Sequence, residues 1–386
     1  MSKKAAALGV IAALAAAAVF GEYGMRNGGF PVGTVSAEES APAVSEDELT
    51  SGTEDTLTGT IPSDTIRYSR PEEESTYGRT GVQGWIDFST LAHRTTDENA
   101  PVVYFTDDIS PVGLINIYNA LHVTPQGNVA VKVSSGEAGN NHFLNPNLVK
   151  NLIREVNGTI VECNTLDYGG VRASTAMHYQ VAEDHGWTDV ADFDIMDETG
   201  TMRIPVTGGT YLTEDVVGAN LQNYDFVMVL SHFKGHGMGG FGGALKNISI
   251  GIAAPEGKNL IHTAGNESVG FGNASQEAFT ASMAEAAKAV YEYEGNGSKM
   301  LFINVMNNLS VDCDCVGNPT APSMANVGIL ASTDPVALDQ ACVDIVYAAP
   351  DGGDIAARME QLMGVHILEH AEEIGFGSRT YRMDIF

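Results

Sequence analysis

From about residue 81 onward, short runs of β-branched and aliphatic residues alternate with longer stretches whose apolar positions recur every three or four residues. The runs PVVYF (101–105), NVAVKV (128–133), GTIVE (158–162), DFVMVL (225–230), MLFINV (300–305) and VGILAS (327–332) are apolar on both alternating faces, as strands covered on both sides of a sheet are. Between them, 111–122, 146–156, 174–186, 277–294, 335–348 and 353–373 have helical composition and spacing, and several open on Pro or on Ser, Thr, Asp or Asn. This alternation predicts an α/β fold with a largely parallel sheet flanked by helices, an arrangement in two lobes with the site between them being left open. Residues 187–224 lack a clear pattern and are expected to form an insertion or a small antiparallel element.

The N-terminal part reads differently. Lys3 and Lys4 precede sixteen uncharged residues, Ala5 to Phe20, rich in Ala with Leu8, Val10, Ile11, Leu14 and Val19, which is the pattern of an export signal. As a helix the run would span about 24 Å, short of the roughly 30 Å hydrocarbon core, which favours a cleaved signal over a permanent anchor. Residues 36–80 then carry eleven Asp or Glu against three Arg, with little apolar surface to offset the entropy of ordering. The expected organisation is an export signal or N-terminal membrane anchor over 1–37, an acidic disordered linker over 38–80 and an α/β domain over 81–386. The protein is accordingly expected to be secreted, periplasmic or tethered to the outer face of the cytoplasmic membrane, touching the membrane only through its N-terminal segment.

Composition narrows the partners. Formal net charge is −29, of which 36–80 supplies −8, so the folded part is itself acidic, and no basic stripe with interleaved aromatics occurs. Nucleic acid is therefore excluded as a partner. Four cysteines, Cys163, Cys313, Cys315 and Cys342, are too few for a disulfide scaffold in a chain of 386 residues.

Candidate chemistry concentrates in Ser231 to Asn247, SHFKGHGMGGFGGALKN, directly after the apolar run DFVMVL. Six glycines, among them Gly240, Gly242 and Gly243, lie among His232, Lys234, His236 and Lys246. Glycine at this density lets backbone amides approach an anion beyond a strand end, where open parallel sheets bind ligands. A glycine-rich turn packed between elements is the structural alternative. In 162–187, His178 and His185 share a helix face beside Thr175, with Arg172 near the helix start; His185 with Gly186 could equally close that helix. In Val311-Asp312-Cys313-Asp314-Cys315 two thiols two residues apart point the same way from an extended chain and can bind one soft metal or a cluster edge, or pair as a disulfide. Asp334 ahead of Pro335 reads as a helix start near a strand end, and Cys342 as core.

The segment 231–247, together with 162–187, 251–265 and 311–341, resembles the domain of unknown function 362 family across most of residues 100–345. More distantly, Gly240 to Lys246, preceded by His236 and followed by His262, resembles the glycine-rich turn, lysine and flanking histidines of the nickel-dependent lactate racemase family. That likeness implies Lys246 as an attachment or anion-binding group, His262 as a metal ligand and His236 as an acid/base. The racemases' substrate-holding Asp-Thr-Arg-Pro stretch has its nearest counterpart in Asp107 to Pro111, which contains no arginine; Arg172 could replace it.

Together these features predict an extracytoplasmic metal-dependent enzyme acting on a small anionic molecule, by isomerisation, proton abstraction or hydrolysis. Its catalytic residues would be His236, Lys246, His178 and Arg172. Lys246, Gly240, Gly242, Gly243 and His232 would bind the cofactor. His236, His262, Cys313 and Cys315 would hold nickel, zinc, iron or an iron–sulfur cluster. The rival is an iron–sulfur or metal-binding redox protein using the Cys-x-Cys pair without turnover, and a third reading is a ligand-binding domain using the glycine turn alone.

Overall fold

The computed structural model describes residues 65–68 and 84–385. Along the chain run strands β1 (Thr65–Tyr68), β2 (Gly84–Asp87) and β3 (Val102–Thr106), helix α1 (Pro111–Ala120), β4 (Val129–Lys132), α2 (Pro146–Glu155), β5 (Gly158–Glu162), α3 (Thr175–Asp184) and β6 (Phe193–Ile195). There follow β7 (Thr201–Pro205), β8 (Glu214–Gly218), β9 (Phe226–His232), β10 (Lys234–His236), β11 (Gly240–Gly242), α4 (Ala244–Ile248), α5 (Pro255–His262) and α6 (Gln276–Tyr293). Last come β12 (Met300–Met306), β13 (Gly328–Ser332), α7 (Pro335–Ala348), α8 (Gly353–Gln361), α9 (His366–Glu373) and β14 (Arg382–Ile385).

Eight strands form one sheet in the order β14-β3-β13-β12-β9-β4-β5-β6, all parallel except β13. The period of two along each strand splits the core. In β9, Val227 and Val229 join a cluster containing Phe241, Leu245, Phe279 and Leu338, while Phe226, Met228 and Leu230 join another containing Leu114, Leu148, Leu152 and Trp187. Each face is therefore roofed by helices, which is why these strands read as continuous apolar runs. All described residues belong to one compact unit, so of the two arrangements left open a single body is the one that forms.

Helix starts follow the expected chemistry. Ser110 accepts from the Gly113 amide ahead of Pro111, and Asp334 accepts from the Val336 and Ala337 amides ahead of Pro335. The 353–373 stretch breaks into two helices at Met363, which has φ 49°, and Gly364. A Cβ on Gly364 would lie 3.0 Å from the Gly240 Cα, so the turn between helices stays narrow to admit the glycine-rich segment. Within 187–224, β7 and β8 pair antiparallel while β6 adds a parallel edge strand to the main sheet. Thr65–Tyr68, inside the segment read as linker, pairs antiparallel with Gly84–Asp87. Residues 1–37 lie outside the described residues. No described helix is long and apolar enough to cross a membrane.

Candidate functional site

The carboxyl ends of β4, β5 and β9 place Lys132, Glu162 and His232 at one edge of the sheet, the edge on which open parallel sheets bind ligands. α4 is tied to that edge by Asn247, whose side-chain amide donates to the Leu230 carbonyl at 3.3 Å and Ser231 Oγ at 3.0 Å. Asn247 Oδ1 in turn accepts from Lys132 Nζ at 2.8 Å. Lys246, one residue earlier, is half-buried, and its ammonium has no hydrogen-bond or ion-pair partner among the described residues.

Around Lys246 positive charge accumulates. Burial pulls its pKa down to about 8, and the charges of Lys132 and Arg172, with a smaller contribution from Lys258, act in the same direction against Asp314. Burial likewise pulls Lys132 to about 8 and lowers Lys258, whose Nζ donates to the Ala253 carbonyl. A chain of net charge −29 thus gathers four cations, Lys132, Arg172, Lys246 and Lys258, at one strand-end cluster.

The two imidazoles beside Lys246 hold their protons on opposite terms. His262, at the end of α5, lies between the rings of Phe271 and Phe279, with centroids 4.5 and 4.8 Å away. Its Nδ1 faces the Lys258 carbonyl at 2.7 Å, so Nδ1 carries the proton and Nε2 keeps a free lone pair. Desolvation takes its pKa down to about 4. His236 is the reverse: its Nδ1 accepts from the amides of Gly239 at 2.8 Å and Met238 at 3.3 Å, which leaves the proton on Nε2. Desolvation, then the charge of Lys246 and the proximity of His262 and Arg358, hold it well below the ordinary histidine range. Both rings are neutral at pH 7, one with a lone pair to accept a proton and the other with an N–H to donate a hydrogen bond.

His236 also belongs to a second group: one of its ring nitrogens and the sulfurs of Cys313 and Cys315 lie within 4.8 Å of one another. Such a set of nitrogen and sulfur donors could hold a metal ion. Three of the four residues read as ligands therefore come together, and His262 is not in the group. Here the two cysteines are joined as a disulfide. Asp314 between them is buried, accepting from Lys234 Nζ at 3.0 Å and paired with His232 Nδ1 at 2.9 Å. Despite the desolvation that opposes it, these partners hold the Asp314 carboxyl below the usual carboxylate range.

The other residues read as site members are engaged elsewhere. His232 is held at both nitrogens, by Asp314 and by the Asn307 carbonyl at 2.7 Å, so it anchors the cysteine loop instead of offering a nitrogen to a cofactor. His178 is fully buried, with Nε2 2.7 Å from Glu162 and Nδ1 3.3 Å from Asn164, and has no surface to give a ligand. Arg172 is spent on Glu137 at 3.2 Å and Glu162 at 3.4 Å, leaving no free fork for a substrate carboxylate. His185 closes α3, its Nδ1 on the Ser135 carbonyl and its ring stacked on Phe143.

The glycines serve packing rather than anion capture. Gly240 takes φ 79°, and its Cβ would lie 2.6 Å from the Gly364 Cα. A Cβ on Gly243 would meet Asp339 Oδ1 at 2.4 Å, the carboxylate that caps the amides of Ala244 and Leu245. Gly242 sits beside the Lys246 stem, its Cβ 3.2 Å from Cδ. The amides of Ala244 and Leu245, just beyond the turn, are thus taken by Asp339, and those of Met238 and Gly239 by His236, so these four are not free for an anion.

Sequence reasoning passed over Lys132, Lys258, Glu162 and Arg358. Lys132 had a signal: a lysine closing an otherwise apolar two-sided strand must be buried. Lys258 had another, standing four residues before His262 on one helix face. The partners Glu162 and Arg358 meet these groups only through the fold.

An α/β body with ligand-edge chemistry at parallel strand ends is the class this arrangement defines. The family model for the Domain of unknown function (DUF362) matches residues 129–344, and the chain belongs to that family. No curated protein matches it. Among solved structures it is similar to the lactate racemase apoprotein from Thermoanaerobacterium thermosaccharolyticum, at 11% identity and TM-score 0.36, over 74% of this chain and 62% of that one. It is also similar to a protein from Thermotoga maritima, at 13% identity and TM-score 0.33, over 67% of this chain and 58% of that one. The chain thus spans about three-fifths of the length of these two structures.

Proposed function

We propose that this protein is an enzyme that moves a proton on a small anionic molecule bound beside Lys246. The observation that carries this reading is the partnerless Lys246 ammonium among three further cations, flanked by two neutral imidazoles in complementary proton states. An anion placed there would satisfy the ammonium and offset both the burial and the neighbouring positive charges that depress it. His262 Nε2 is free to take a proton from the bound molecule and, as the imidazolium, to return it, while His236 Nε2–H can donate a hydrogen bond to the oxygen on which charge develops, the arrangement isomerisation or proton abstraction needs. Glu162, held by Ser135, Arg172 and His178, fixes the wall behind them.

A divalent metal, nickel, zinc or iron, would be held at His236 only with the ring turned off the Gly239 and Met238 amides, and would there polarise a carbonyl or acidify water. The rival of an iron–sulfur protein has less support. Cys163 is buried against the Ile252 carbonyl and Cys342 lies in the core beside Asn304, so neither joins Cys313 and Cys315 in an all-cysteine cluster site. An extracytoplasmic setting belongs to the same proposal and is supported by Lys3, Lys4 and the apolar run after them.

The test is incubation of the purified protein with 2-hydroxy, 2-oxo and amino acids in deuterated water. Solvent deuterium appearing at the carbon next to the carboxylate, lost in His262→Gln and in Lys246→Met, is the expected result. No exchange across the set, with phosphate binding equal in wild type and Lys246→Met, would remove the reading.

A further inference from the structure

We propose that His236, Cys313 and Cys315 form a redox-gated site for a thiophilic divalent metal such as zinc, closed by the Cys313–Cys315 disulfide and opened by a dithiol reductant. Three observations converge on it. The donor atoms already lie within 4.8 Å of one another, so the site needs no domain movement to close around an ion. The loop bearing the sulfurs is fixed on both sides by buried contacts. The Asp314 side chain is pinned by Lys234 and His232, and its carbonyl accepts from the Glu137 amide at 2.8 Å and the Asn140 side chain at 3.3 Å. Reduction would therefore release two thiols whose positions are held by Asp314 instead of by the sulfur–sulfur bond.

The third observation is a link between the cysteine loop and the turn that bears His236. Arg358 pairs with Asp312 at 3.8 Å, and its Nη1 would be 3.7 Å from a Cβ on Gly237, which sets a guanidinium at the turn bearing His236. Two thiolates and one imidazole are three protein ligands, leaving a position open on the side of the half-buried Cys315.

The chemistry balances. A dithiol gives two electrons and two protons to the disulfide; its own thiols become a disulfide, the Cys313–Cys315 bond breaks, and each sulfur leaves as a thiol. Zinc then displaces both thiol protons to solvent, giving a site with two thiolates, one neutral imidazole and no net charge.

The hydrogen bonds of His236 make the two states exclusive. With Nδ1 accepting from the Gly239 and Met238 amides, the ring has no lone pair free for an ion. Metal capture must turn the ring off those amides, so an ion and the hairpin turn compete for the same side chain. The site requires no turnover at Lys246, and its failure and that of the proposed function read out separately.

The experiment uses the full chain, as purified and after anaerobic dithiothreitol treatment and removal, with zinc as the probe against a chromogenic chelator and cobalt(II) as a spectroscopic reporter. We expect one equivalent of zinc in the reduced protein, under a tenth of an equivalent in the disulfide form, and a thiolate-to-cobalt charge-transfer band only after reduction. Cys313→Ser/Cys315→Ser should abolish uptake, and His236→Asn should weaken it at least tenfold, both with unfolding midpoints near that of the reduced wild type. Zinc taken up equally by the disulfide form, or by the folded cysteine double variant, would place the metal elsewhere and overturn the proposal. So would a reduced protein that takes up none. Deuterium exchange in the same samples bears only on the chemistry at Lys246.

Discussion

Acidification should destabilise this protein through His262, by an amount the structure sets. The ring titrates near 4 in the fold, against 6.5 for an exposed histidine, because the Phe271 and Phe279 rings and the surrounding protein deny its charged form water. That lowering corresponds to about 3 kcal/mol. The sign comes from proton counting: between pH 6.5 and 4 the unfolded chain holds a proton that the folded one refuses, so stability rises with pH in that window. The contribution is complete above about pH 6.5 and is lost as pH falls through 4. Other groups titrate too. His236 acts in the same sense, while Asp215, pushed up by burial to about 7, loses stability as pH rises. Only a difference isolates His262.

The assay is urea unfolding at pH values from 7.5 to 4 for wild type and His262→Leu, which keeps an apolar body between the two phenylalanines. Wild type should lose about 3 kcal/mol more than the variant across that range. Parallel curves, or an imidazole resonance titrating near 6.5 in the wild type, would show that the ring is hydrated and the reasoning wrong.

Phosphate should bind at least tenfold more weakly to Lys246→Met than to wild type by calorimetry, because the one partnerless cation of the cluster is gone. Gly243→Ala should cost roughly 2–4 kcal/mol in urea unfolding, since its Cβ would occupy the space of the Asp339 carboxylate that caps two amides of α4. Asp314→Asn should cost about 3–5 kcal/mol by the same measurement, because Lys234 is left buried without its counter-charge. Cys163, buried and with its thiol raised to about 12, should resist iodoacetamide in the folded protein and react promptly in urea, followed by mass spectrometry.

The strands were legible because both their faces are covered: DFVMVL has no polar residue after Asp225 and MLFINV only Asn304, whose buried amide donates to Asp339, and the two lie side by side in the sheet. Helix starts were legible at Pro111, Pro146 and Pro335, where cap and proline stand together. The division at Met363 was not, since it answers to Gly240, more than a hundred residues earlier. Within the site, the grouping of His236, Lys246 and His262 came from the resemblance of the glycine turn and its flanking histidines to the racemase pattern. What the turn does was not, because whether an amide is free depends on Asp339, which arrives from a distant helix. His178 and Arg172 were singled out for the residue types they are, but a histidine or arginine next to an unseen glutamate is spent on it.

The position of β3 bears on how the chain is made. Its neighbours in the sheet are β13 and β14, each more than two hundred residues further on. While the later chain is still being synthesised, Val103 and Phe105 belong to a strand with neither partner present, and the β4, β5 and β9 ladder has to assemble without it. Contacts at such separation form late, and an unpaired apolar strand is a site of aggregation in the interval. The nascent protein should therefore depend on a holding chaperone until Ile385 has emerged, and versions ending before β14 should accumulate as insoluble material.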